Sequence, residues 1–110
     1  LQGQSRTTTK SVVLSQSVAE YIKSMDESSL SAICEAVAKE FGGTSTDNTV
    51  TILFDKRFNE VLKDESFVLS VELSESNGSI SGTIGVYSAD RKTSYCVLKL
   101  VKGAQHEAKQ

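Results

Sequence analysis

With one histidine and two cysteines in 110 residues, the chain is short of the side chains that most often carry metal and nucleophilic chemistry. His106 stands in the polar stretch GAQHEAKQ, with no rigid second partner for acid–base work or a metal site, and no role is expected for it. Cys34 and Cys96 are too few and too far apart for a disulfide framework or the clustered ligands of a zinc site. Both fall at inward-facing positions of their elements and read as reduced core thiols, which favours a cytoplasmic or other reducing intracellular compartment.

Long apolar runs are missing too. None approaches the ~20 residues that span a bilayer, and the polar start Leu1 to Lys10 lacks the hydrophobic region of a signal peptide, so no membrane partner is expected. Charge of one sign is also scarce: twelve Lys and Arg stand against fourteen Asp and Glu, interspersed along the chain, so no global field draws it to nucleic acid or anionic lipid. There is no phosphate-binding loop, dinucleotide fingerprint, zinc or calcium signature. The carboxylate pairs Asp55 with Glu60, Asp64 with Glu65 and Glu72 with Glu75 read as caps, turns and wet sheet face. Neither an enzyme nor a resident metal or cofactor is expected.

What the chain does have is a sheet written in alternation. Asn77-Gly78 sits between apolar/polar alternating runs, and this dipeptide takes the positive φ values of a two-residue hairpin turn. A turn there sets Val71 across from Ile84 and Leu69 across from Val86 on an apolar face, with Glu72 opposite Thr83 and Ser70 opposite Gly85 on a polar one. Strands are predicted over Phe67 to Ser74, Ile80 to Ser88 and Ser94 to Val101, the last two joined by the turn Ala89 to Lys92, and an earlier one over Thr49 to Phe54. Gly82 and Gly85 lie inside a strand, where glycine marks a bulge, a twist or close backbone approach.

Before the sheet come helical signals. Leu30, Ile33, Cys34, Val37, Ala38 and Phe41 follow the i, i+3, i+4, i+7 series of a helix over Glu27 to Phe41, entered from Asp26 and ended by Gly42-Gly43. Ser17 and Glu20 form a capping box for a shorter helix over Val18 to Met25. Ser11 to Leu14 reads as a short strand or a hydrophobic anchor. Asp55 caps a short helical segment, Lys56 to Lys63, with Phe58, Val61 and Leu62 on one face.

These elements define an α+β fold of two layers, one long and one short N-terminal helix packed on a four-stranded, mainly antiparallel sheet that ends in a three-strand meander. One domain is expected over residues 11–102, between flexible tails at 1–10 and 103–110. The sheet's second side carries apolar residues as well: Tyr87, Tyr95, Val97 and Val101, to be covered by Val12 to Leu14 or by another chain. The expected function is a non-enzymatic protein-interaction or assembly module that self-associates through this outer face or an edge strand, with a protein or a second copy as partner. The alternative is a single-stranded nucleic-acid binder, with Tyr95 stacking on bases and Arg91, Lys92 and Lys99 on phosphates.

Overall fold

Among the described residues two helices, α1 (Arg6–Ser24) and α2 (Leu30–Phe41), precede six strands: β1 (Thr44–Thr46), β2 (Thr49–Phe54), β3 (Glu60–Val61), β4 (Phe67–Ser76), β5 (Ser79–Ser88) and β6 (Ser94–Lys102). The computed structural model describes residues 6–26 and 29–102; the expected C-terminal tail with His106, and the first five residues of the N-terminal one, lie outside the described residues.

The Asn77-Gly78 turn fixes the register of the sheet. Both residues have positive φ, 53° and 80°, and the pairs Val71↔Ile84, Leu69↔Val86, Glu72↔Thr83 and Ser70↔Gly85 follow from it. All pairings are antiparallel, in the order β1-β2-β4-β5-β6. The sheet therefore has six strands, not four. The extra two are short: Asp47 and Asn48, at φ 50° and 64°, turn β1 into β2, and β3 pairs with the end of β2 through Leu53↔Val61 and Phe54↔Glu60.

That last pairing replaces the expected helical segment from Lys56 to Lys63. Asp55 does accept backbone N–H groups, from Arg57 at 2.8 Å and Asn59 at 2.9 Å, but it closes a tight loop in which Phe58 has φ 64°. A left-handed residue stops a helix at once, and Leu62 is left 94 % exposed, the reverse of a buried helical face.

α1 differs most from expectation. It runs unbroken for 19 residues from Arg6, through the positions read as tail, strand and cap. Ser17 is interior: its hydroxyl donates to the Val13 carbonyl one turn back, at 3.0 Å. The buried stripe is Ser11, Ser15, Val18, Ala19 and Ile22, helical in spacing, but its first two members are serines, so hydrophobicity alone concealed it. α2 matches its apolar series, with Ile33, Cys34, Val37 and Ala38 buried. Its N-cap is Ser29 rather than Asp26, and Gly42 ends it at φ 82°.

Both helices cover the same side of the sheet. Val18, Ile22, Ile33 and Val37 join Val50, Ile52, Leu69, Val71, Ile84 and Val86 in one cluster, all fully buried. Each such side chain contributes roughly 1.5–3 kcal/mol by leaving water. α1 lies over β5 and β6, α2 over β1 and β2. Leu14 packs into this core as well, so the Val12 to Leu14 segment belongs to the helix layer and does not cover the sheet's other side. Lys102 Nζ donates to the carbonyl of Met25 and ties the end of β6 to the end of α1. No described helix is long and apolar enough to cross a membrane.

Candidate functional site

The outer side of the sheet is read off the register in rows. Leu53, Val68 and Tyr87 form one row, Ser70, Gly85 and Val97 the next, then Glu72, Thr83 and Lys99, then Ser74, Ser81 and Val101. Val68 is completely buried although it is no part of the helix-side core. Tyr87, its neighbour in register, lies back over Gly85: a Cβ there would meet the Tyr87 ring and hydroxyl, the latter at 2.3 Å. A glycine at this place lets an aromatic ring lie flat along its own strand.

Val97 and Val101 are 52 % and 66 % exposed on β6, with Lys99 exposed between them. β6 pairs only with β5 among the described residues, so its nine residues form one margin of the sheet. The opposite margin is formed by short pieces, β1 and β3, that shield β2. The two margins are thus unequal: one long and partly apolar, one short and broken. The rows of Glu72, Thr83 and Lys99 and of Ser74, Ser81 and Val101 floor a shallow depression of about 420 Å3, in which Glu72 is the sole carboxylate among the described residues.

Of the four residues expected on this surface, Tyr87, Val97 and Val101 lie on it, Tyr87 in the row beside Val97, and Val101 two rows beyond, past Lys99. Tyr95 does not. The pairing of β5 with β6 shifts between Val86↔Cys96 and Tyr87↔Ser94, leaving Tyr95 as an extra residue in a β-bulge. The bulge breaks the alternation and turns Tyr95 to the helix side, where its ring meets Phe67 at 5.6 Å and 80°. Phe67 stacks on Phe58 at 4.6 Å, and Phe58 contacts Phe54 at 5.8 Å, so Tyr95 ends a chain of four rings.

The expected nucleic-acid contacts are not brought together either. Arg91 and Lys92 stand exposed in the β5–β6 turn, Lys99 lies mid-strand on the outer side, and Tyr95 is on the other side altogether. The turn is organised from within by Asp90, whose carboxylate accepts the Ser88 hydroxyl at 2.7 Å and the Lys92 N–H at 3.0 Å. These bonds, the hydroxyl's foremost, hold the Asp90 carboxyl below the usual aspartate range.

Both cysteines are free thiols, Cys34 buried and Cys96 half-buried. Burial, with the neighbouring Glu35 charge, pushes the Cys34 thiol up, so it stays protonated and unreactive. No group of three His, Cys, Asp or Glu side chains among the described residues is arranged to hold a metal ion. No family model, curated protein or solved structure matches this chain.

Proposed function

We propose that this protein is a non-enzymatic assembly module that pairs with a second copy of itself through the β6 edge. The observation that carries this reading is the nine-residue margin at β6, on which Val97 and Val101 are exposed while Tyr87 fills the adjoining row. A long edge with apolar side chains offers backbone donors and acceptors for an added strand and apolar area to bury beside it. At roughly 25 cal/mol per Å2, removing about 300 Å2 of apolar surface gives several kcal/mol, set against the ordering cost of association.

Lys99 restricts the register. Antiparallel pairing about a two-fold axis at Lys99 would oppose two like charges, which is unfavourable. An axis at Leu98 instead sets Val97 against the aliphatic stem of Lys99 of the partner subunit, leaving both ammonium groups in water. The nucleic-acid alternative keeps its cations but loses its stacking ring from this side, and it is not adopted.

Sedimentation velocity over a range of concentrations tests the proposal. The apparent mass is expected to rise toward that of a dimer, and Val97→Asp to hold the chain as a monomer with an unchanged circular dichroism spectrum. A parent chain that stays monomeric at every concentration would remove the reading.

A further inference from the structure

The helix layer has an exposed apolar position of its own. Val13 is 58 % accessible on α1, a helix whose other side is fully buried. Two surface depressions meet at Val13 and Ser17. One, about 430 Å3, lies between α1 and Phe58, with Lys10 and Arg57 on its rim. The other, about 600 Å3, continues along α1 to Tyr21 and Phe41, whose rings meet edge to face at 5.6 Å. From Thr9 to Ser24, at 1.5 Å per residue, the lane is roughly 22 Å long, about four helical turns.

The far wall is held in place. Phe58 is fixed at φ 64° by the bonds that Asp55 receives from Arg57 and Asn59, and by its own N–H donating to the Asp55 carbonyl at 2.9 Å. Its ring stacks on Phe67, and this places Arg57 beside the lane. Neither Lys10 nor Arg57 is held in an ion pair among the described residues; Lys10 lies 5.9 Å from the Phe58 ring centre. The Arg57 charge also acts on the Asp55 carboxylate, which accepts the Arg57 and Asn59 N–H groups within the loop, and Glu20 lines the second depression. The lane is therefore largely apolar at Val13, Leu14, Phe58, Tyr21 and Phe41, interrupted by Gln16 and Ser17, with two cations on the rim of one depression and one carboxylate in the other.

We infer that this lane docks an amphipathic helix from another protein, apolar side chains lying over Val13, Phe58 and Tyr21 and acidic residues lying at the Lys10–Arg57 end. The surface is long and open, so a small ligand would remain mostly in water, whereas a helix covers it with side chains at i, i+3, i+4 and i+7. Among the described residues, the helices of a second copy offer one exposed large apolar side chain, Val13 itself, and no apolar series at i, i+3, i+4 and i+7. The other large apolar side chains exposed among the described residues are Leu62 in a loop and Val97 and Val101 on a strand. This inference does not depend on pairing at β6, since a monomer presents the lane equally well.

The test is an NMR titration of the isotope-labelled chain with a synthetic amphipathic peptide that carries leucines at i, i+3, i+4 and i+7 and glutamates in its first turn. Amide shifts are expected at Lys10, Val13, Ser17, Arg57 and Phe58. Val13→Asp and Arg57→Glu should each weaken binding on the order of tenfold, Arg57→Lys should largely restore it, and a peptide with lysines for the glutamates should bind more weakly. Absence of shifts at millimolar peptide, shifts confined to β6, or the same shifts on concentrating the chain alone would each overturn the inference.

Discussion

Tyr95 and Phe67 meet edge to face with 5.6 Å between ring centroids and 80° between planes, on the same side of the sheet as both helices. The contact exists because β6 carries one more residue than β5 across the bulge. Tyr95→Ala is therefore expected to destabilise the fold by about 2 kcal/mol, removing a half-buried ring from the end of an aromatic chain. Val97→Ala, two residues on and facing outward, should change stability by less than about 0.5 kcal/mol. Urea unfolding of the two variants under dilute, monomeric conditions separates them.

Ser11 and Ser15 are fully buried, and neither hydroxyl has a hydrogen-bond partner among the described residues. A buried unpaired hydroxyl costs free energy, and alanine is the better helix former. Ser15→Ala is expected to stabilise the chain by about 1 kcal/mol and to raise Tm by roughly 4–8 °C. Differential scanning calorimetry checks this; a lowered Tm would mean that the hydroxyl is satisfied.

Gly43 follows the α2 cap, at the point where the chain crosses β2. A Cβ there would lie 2.4 Å from the Thr51 carbonyl oxygen and 2.6 Å from Ile52 Cγ1. The first of these is backbone inside a paired strand and has little room to give. Gly43→Ala should cost about 2 kcal/mol, against near neutrality at a site without close neighbours, and thermal unfolding measures the difference.

Acid should loosen the two loops at the Phe67 end of the sheet. The Asp55 carboxyl is held below the usual aspartate range chiefly by the Asn59 N–H, with Arg57 contributing through its own N–H and its charge. A carboxyl depressed in the folded state contributes stability above its unfolded pKa, and that contribution is lost as pH falls through the folded value. The same holds for Asp90, which is bonded first by the Ser88 hydroxyl and then by the Lys92 N–H. Side-chain NMR titration should place both midpoints below an ordinary aspartate, and Asp55→Asn should flatten the acid limb of the stability curve.

Much of the sheet was legible because its rule is short-ranged. Asn77-Gly78 permits one tight turn, and alternation then dictates each pair from Phe67↔Ser88 to Ser76↔Ser79. The α2 stripe was legible for a similar reason, every buried position being apolar. α1 was not, because Ser11 and Ser15 stand where hydrophobic residues would have marked its buried face. Nor was the loop at Phe58, since Phe58, Val61 and Leu62 mimic a helical face, and only the closure by Asp55 and pairing with β2 show otherwise. Tyr87, Val97 and Val101 fall on the outer side as alternation implies, and Tyr95 does not, because a bulge leaves no mark in an alternating run and inverts one side chain. The α1 lane depends on residues that lie far apart in the chain, Val13 and Phe58, which no local pattern connects.

The most direct test of assembly through β6 is a mixed NMR sample, one half of the chains carbon-13 labelled and the other half unlabelled, filtered for contacts between chains. Pairing about Leu98 predicts intermolecular contacts from the Val97 methyl groups to the Lys99 side chain of the partner subunit. A dimer whose intermolecular contacts arise from α1 or from the β1 margin, with none from Val97, would contradict the account.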